Sequence, residues 1–175
     1  MASSVSLRAE LQAEDLLLLM RWMANDHVYR YLNEHQQIAA QLKQVYDARL
    51  PLLTPLFNQN GPFRMICDEG GAPIGFLRMA HCPGNGAEVV LAIGEERLWS
   101  QGYGRSSLAE ALKIAFFELR KDRVIAHIHC ENSRSQRLFS SRGFVPCAQL
   151  GHATRYQLTM TDYLRRAAAQ AREIA

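Results

Sequence analysis

The chain has no C-x-x-C pair. Its four cysteines, Cys67, Cys82, Cys130 and Cys147, stand apart from one another, which excludes a zinc knuckle and a thioredoxin-type redox motif. It has no long apolar run: the longest, such as Leu16 to Met20, fall far short of a membrane span. It starts MASSVSLRAEL, without the basic start and apolar core of a secretory signal. Neither sign of charge dominates, since 20 basic and 17 acidic residues leave a net charge of +3. A nucleic-acid partner calls for a concentrated basic face, and this balance argues against one. Repeats, low-complexity tracts and interior linkers are missing too. These absences predict a cytoplasmic protein with no membrane or nucleic-acid partner, its thiols reduced and packed as small hydrophobes.

What is present is ordinary globular material. Of 175 residues, 48% are hydrophobic and 21% charged, enough to bury a core in one domain spanning 1–175. Residues 4–11 alternate and predict a first strand. In AEDLLLLMRWMAN, Leu16, Leu19, Met20 and Met23 fall at helical spacing, and Leu17, Leu18 and Trp22 widen the apolar face. A second helix is expected over about 36–50, closed by Pro51 and Pro55. FRMIC (63–67) and PIGFLRMAHC (73–82) read as strands joined by the turn residues DEGGA. PGNG then leads into AEVVLAIG, a third strand of this group. Leu108, Leu112, Ala115, Phe116 and Leu119 mark one face of a long helix that ends at Lys121 and Asp122. VIAHIHC (124–130) alternates as a strand, and NSRSQRLFSSRG is a short helix with Asn132 at its start and Gly143 past its end. FVPCAQL and RYQLTM form a last hairpin, and TDYLRRAAAQAREIA a C-terminal helix. Runs of antiparallel strands with interleaved helices give the α+β class.

One stretch asks for a function. In LWSQGYGRSSL (98–108) a strand runs through Gly-x-Gly into a helix. The first turn of a helix carries unpaired N–H groups and partial positive charge, a natural seat for phosphate. Glycine lets the ligand come close to the backbone. Gly102, Tyr103 and Gly104, with Arg105 and Ser106, therefore predict a phosphate cradle. A Walker A loop is weakened, because the lysine it needs is missing. A dinucleotide fingerprint is weakened, because Ser107 stands where its third glycine belongs. By itself the G-x-G also fits a tight turn with no ligand.

The segment from Glu88 to Phe144 resembles the GNAT family of N-acetyltransferases. In that pattern an apolar strand and a short turn precede G-x-G at a helix start. A further strand follows, then N-x-x-S-x-x-L-[FY]-x-x-x-G-F. Here AEVVLAIGEERLWSQGYG is followed by AHIHCENSRSQRLFSSRGF, with Asn132, Ser135, Leu138, Phe139, Gly143 and Phe144 matching the second part. RWMANDHVYRYL resembles the branch that includes ribosomal-protein and spermidine acetyltransferases, as does the aromatic Trp99 three residues before Gly102. The hairpin after Phe144 is short beside that of spermidine acetyltransferases, which counts against a polyamine substrate.

The resemblance implies a mostly antiparallel twisted sheet of about seven strands flanked by helices, with strands 4 and 5 splayed apart. It implies acetyl-CoA as cofactor, with the pyrophosphate on backbone N–H groups of Gln101 to Ser106 and the pantetheine arm along Leu91, Ala92 and Ile93. Charge-assisted bonds of this kind contribute roughly 1.5–3 kcal/mol each. Asn132, Ser135 and Phe139 would flank the arm, and Arg134 and Arg137 its outer phosphate. The reaction is direct attack on the thioester by a primary amine, the acceptor being a small-molecule or peptide amine. At pH 7 an alkyl amine is neutral in roughly one molecule in two thousand, so a base is needed.

Glu88 is the expected base, since several relatives carry a carboxylate there. His127 and His129 share one strand face, and the resemblance calls for no metal, so they are read as a partly buried structural pair or as polar lining of the acceptor side. Trp22, Asp26, Tyr29, Glu34 and His129 are the expected acceptor residues. Phe139 stands where many relatives carry the tyrosine that protonates the leaving thiolate, so Tyr103, Tyr156 or water must serve instead. The missing hydroxyl also raises an alternative, a non-catalytic acyl-CoA-binding module of the same fold. A homodimer through the C-terminal helix, around Tyr163 and Leu164, is a further expectation.

Overall fold

The structure is a computed structural model that describes residues 3–32 and 38–174. The chain opens with β1 (Ser6–Arg8), α1 (Ala13–Met23), α2 (Asp26–Tyr29), α3 (Ile38–Asp47) and α4 (Thr54–Phe57). An antiparallel meander follows: β2 (Phe63–Cys67), β3 (Pro73–Cys82) and β4 (Gly86–Ile93). Then come α5 (Tyr103–Lys113), β5 (Arg123–His129), α6 (Ser133–Ser141), β6 (Val145–Leu150), β7 (Ala153–Thr159) and α7 (Met160–Ile174). The strands form one seven-stranded sheet in the order β1-β2-β3-β4-β5-β7-β6. Every pairing is antiparallel except β4 with β5.

That parallel pairing is short. It joins Gly86 to Arg123, Ala87 to Val124 and Glu88 to Ile125, and there it stops. Beyond Glu88 the two strands part, as the resemblance implied. The turn into β4 uses Gly84 (φ +68°) and Asn85 (φ +51°), and the β2–β3 turn closes with Asp68 Oδ1 accepting from Ala72 N at 2.9 Å.

Each face of the sheet carries its own core. On one face Leu77, Met79, Val89, Ala126, Ile128 and Leu158 pack with Leu108, Leu112 and Phe116 of the α5 segment and Phe139 of α6. On the other, Leu16, Leu19, Trp22 and Met23 of α1 pack on Met65, Cys67 and Phe76. Among the described residues, this second cluster takes nothing from β5, β6 or β7. The α1–α4 layer thus covers one arm of the sheet and leaves the face of β5 that carries His127 for the cleft. α1 is anchored at its start, where Asp15 is buried and accepts both guanidinium nitrogens of Arg8, at 2.8 and 3.0 Å, and the backbone N of Gln12 at 2.7 Å.

Several boundaries differ from the sequence reading. The first strand is confined to Ser6–Arg8, because Arg8 turns back onto Glu10 and Asp15 and the Leu11 N–H is taken by Thr54 Oγ1. The second helix ends at Asp47 through Arg49 in a left-handed conformation (φ +48°), before either proline acts. Pro55 instead sits in the first turn of α4, where a missing N–H costs nothing. The long helix loosens to π geometry over Ile114–Glu118 and stops at Arg120 (φ +52°), ahead of Lys121.

Candidate active site

The parting of β4 and β5 opens a cleft of about 490 Å³. β4 from Glu88 to Ile93 forms one wall, and Ala126, His127 and Ile128 form the other. Glu88 lies at the last paired register of β4. Its side chain points to the same face as His127, two residues past its partner Ile125. His127 Nδ1 and Glu88 Oε1 are 2.8 Å apart, with 23% and 31% of their side chains exposed.

At one end of the cleft lies the glycine turn. Gly102 is the N-cap of α5 with φ +91°, a conformation suited to glycine. The helical ladder begins with Ser106 N donating to Gly102 O at 3.0 Å. The N–H groups of Tyr103, Gly104 and Arg105 therefore precede it. A Cβ at Gly104 would sit 3.4 Å from Leu138 and 3.9 Å from Leu91, two residues that line the cleft. Glycine here keeps that end of the cleft open. Arg105, Arg134 and Arg137 line the same cleft and supply positive charge. The donors, the open backbone and the cations fit the phosphates of acetyl-CoA.

Two contacts span this end. The Trp99 indole N–H donates to Ile93 O at 2.7 Å. The Arg134 guanidinium lies over the Trp99 ring, 3.7 Å from its centroid. Burial pushes the Arg134 pKa down, with Glu96 and Tyr31 opposing. Asn132 caps α6 by accepting from Ser135 N at 3.1 Å, and both residues line the cleft. Phe139 is a buried wall residue, set edge-on to Phe144 at 5.0 Å.

Most of the expected residues meet here. Glu88, Leu91, Ala92, Ile93, Gly102, Gly104, Arg105, Asn132, Ser135 and Phe139 all line the one cleft. Gln101, Tyr103 and Ser106 are not among the residues that line it. Tyr103 packs against the core, and buried Tyr156 does likewise. Neither tyrosine fronts the cleft as a proton donor.

The acceptor side needs more correction. Trp22 is buried, not exposed to substrate: it fills a slot over Gly94, and its N–H donates to Glu95 Oε1 at 3.0 Å. Asp26 is exposed at the start of α2 and lines nothing. Tyr29 packs against the α1-side core. His129 stays off the wall, stacked on His152 at 6.1 Å and in tilted ring contact with Tyr31 at 5.3 Å. Glu34 lies outside the described residues. The residues that do line this side are His27, Val28, Tyr31, Leu32 and Arg78. Tyr31 and Leu32 carry no signal beyond their place in RWMANDHVYRYL, and pairing Glu88 with His127 required the β4–β5 register.

A clamp holds α2 beside the cleft. Glu96 accepts from Asn25 Nδ2 at 2.6 Å and pairs with His27 Nδ1 at 2.9 Å. Those bonds, Asn25 first, hold its carboxyl below the usual carboxylate range. A lowered folded-state value means the clamp is at full strength above the ordinary carboxylate pKa and is lost as pH falls through the lowered one. The protection factors of the Val28 and Tyr29 amides, measured against their intrinsic exchange rates, are therefore expected to fall below the usual carboxylate range, and Glu96→Gln to remove most of that pH dependence.

The family model described as an acetyltransferase (GNAT) domain matches residues 6–145. No curated protein matches the chain. Among solved structures, the spermidine N-acetyltransferase of Vibrio cholerae in complex with CoA and spermine is similar over 92% of this chain and 98% of its own, with a TM-score of 0.76 and 20% identity. A domain from Methanocaldococcus jannaschii is similar over 90% and 99%, with a TM-score of 0.72 and 22% identity. A dodecameric structure of the Vibrio cholerae enzyme in an intermediate state is similar over 94% and 98%, at 0.73 and 19%. At these identities the likeness is one of fold.

Proposed function

Because the chain belongs to the GNAT acetyltransferase family, it is an N-acetyltransferase that uses acetyl-CoA, and we propose that residues 1–175 act as one domain whose acceptor is a monoamine. Acetyl-CoA supplies an activated acetyl group: a C–N bond forms to the amine, the C–S bond breaks and the thiolate leaves. The N–H groups of Tyr103, Gly104 and Arg105, backed by the Gln101–Ser106 turn, would hold its pyrophosphate. The open edge of β4 at Leu91 offers backbone groups to the pantetheine arm and a donor to the thioester carbonyl. The Ile93 carbonyl is already taken by Trp99. Asn132, Ser135 and Phe139 close the far wall.

The observation that carries the catalytic reading is the placing of Glu88. It sits beside His127 where β4 and β5 part, in the same cleft as the phosphate cradle. A carboxylate there can attract an ammonium and take its proton. This favours catalysis over a binding-only module, despite Phe139.

Among the described residues lining the cleft, Glu88 is the one carboxylate. It can receive one ammonium, and Val28, Tyr31 and Leu32 offer an apolar surface to the rest of the acceptor. A panel of phenethylamine, tripeptides with free N-termini, spermidine and an aminoglycoside, followed by thiol release from acetyl-CoA, tests this. We expect the highest kcat/KM with an amine of single charge and apolar body. Preference for spermidine would overturn the monoamine assignment, and no acetylation at all, with CoA still bound, would leave the binding module.

We place the enzyme in the cytoplasm as a homodimer. Among the described residues no helix is long and apolar enough to cross a membrane, and the four cysteines are free. Phe117, in ring contact with Tyr163, and Leu164 are exposed beside α7, an apolar patch suited to a second copy.

A further inference from the structure

We infer that His127 is a positioning residue, which holds the Glu88 carboxylate in the orientation that receives the amine's proton. The inference rests on the reading of Glu88 as the base. It starts from the sheet. Backbone pairing of β4 with β5 ends at Glu88 and Ile125. The next link between the two arms is the side-chain bond from His127 Nδ1 to Glu88 Oε1, at 2.8 Å. It forms where the backbone ladder has just been given up.

The donor and acceptor roles follow from chemistry. An ionised carboxylate only accepts, so Nδ1 carries the hydrogen and donates it. That fixes the neutral tautomer of His127 and commits Oε1 of Glu88. Oε2 is left to face the ammonium. A glutamate has three rotatable side-chain bonds, and one left untethered at a strand edge would spread over several rotamers. Both groups line the cleft and are less than a third exposed, so the bond competes with little bulk water. Holding the carboxylate beforehand spares the reaction that ordering step.

The protons then balance. Glu88 Oε2 takes one from the ammonium, leaving a free amine. Its nitrogen bonds to the acetyl carbon as the C–S bond breaks, and a second N–H proton neutralises the departing thiolate. Glu88 returns its proton to water. His127 keeps Nδ1–H on Oε1 throughout.

The first test needs no acceptor. Nitrogen-15 spectra of the imidazoles at alkaline pH are expected to show His127 mainly as the Nδ1–H tautomer in the wild type. In Glu88→Ala it should revert to mainly Nε2–H, the form free imidazole prefers. The second uses the fastest amine of the panel. His127→Phe should lower kcat about 10- to 100-fold with the KM for acetyl-CoA unchanged. His127→Gln, which keeps a donor, should recover most of that loss. In a Glu88→Gln background His127→Phe should cost little more, because residues that act as a unit are not additive. An unchanged tautomer in Glu88→Ala overturns the inference, and so do equal losses for the Gln and Phe variants or losses that add to that of Glu88→Gln. If His127→Phe does not fold, His127→Leu and the tautomer measurement decide. Full activity in Glu88→Gln would instead overturn the base assignment itself, a result distinct from any of these.

Discussion

Gly104→Glu is expected to abolish binding of acetyl-CoA in a protein that remains folded. The two halves of that expectation have separate causes. Gly104 is the second residue of α5, where a carboxylate interacts favourably with the helix dipole and is worth about 0.3–1 kcal/mol to the fold. The new Cβ meets Leu138 at 3.4 Å, a methyl that can yield by a small rotation. The rest of the side chain, however, extends between α6 and β4 into the cleft. There it brings a negative charge to the N–H groups meant for phosphate and fills the space the pyrophosphate needs. For the wild type, CoA at 100 times its Kd should stabilise by about 2.7 kcal/mol. In a chain of this size that is a thermal shift of roughly 5–10 °C. The variant should show none, with an unliganded Tm at or slightly above that of the wild type. A retained shift would mean that the cofactor's phosphates lie elsewhere. A collapsed Tm would mean that Gly104 is needed for packing rather than for ligand.

What the sequence makes visible here is local. The Gly-x-Gly turn, the Asn132 cap and the left-handed Gly143 (φ +96°) each depend on neighbours a few residues away. The alternation of VIAHIHC also places His127 and His129 on one face without any tertiary information. Trp22 shows the limit. Its helical spacing is equally consistent with a lining residue and a core residue. Only the bare backbone of Gly94, distant in sequence, makes the slot that swallows the indole, since a Cβ there would fall inside the ring. The Glu88–His127 bond is hidden for the same reason: it exists because β4 and β5 pair in one particular parallel register and then stop. Arg49 is a third case, a residue with no marked turn preference that ends α3 in the left-handed region. Nothing in its type announces this, whereas Pro51 and Pro55 nearby attract the prediction.

Phe139 bears on how much the enzyme must do. It contributes no proton, and the tyrosines named as substitutes pack into the core. The leaving group is a thiol with a pKa near that of cysteine, about 8.5, and can depart as the thiolate, which the acceptor's second N–H proton then neutralises. The harder proton is then the first one, on the ammonium, and the burden of catalysis falls on the base proposed for it, Glu88.

Replacing Glu88 by glutamine should therefore be the most damaging change to the chemical step. Glutamine keeps the shape and can still accept from His127, but it cannot take a proton. We expect kcat to fall about 10²–10⁴-fold at neutral pH, with the KM for acetyl-CoA and the CoA-induced thermal shift unchanged. The size of the loss should depend on pH in a way set by the substrate. With no base, the variant can use only amine that is already neutral. That fraction rises tenfold per pH unit up to the amine's own pKa, about 10.4 for an alkyl amine. The rate of Glu88→Gln should climb accordingly, and the gap to the wild type should narrow in alkaline solution. A loss that stays constant with pH would show that Glu88 binds the acceptor by charge without removing its proton. Wild-type rates at neutral pH would move the base away from the β4–β5 apex altogether. The climb toward wild-type rates is the specific signature of a missing base, because neither a misfolded protein nor a weakened cofactor site would recover in proportion to free amine.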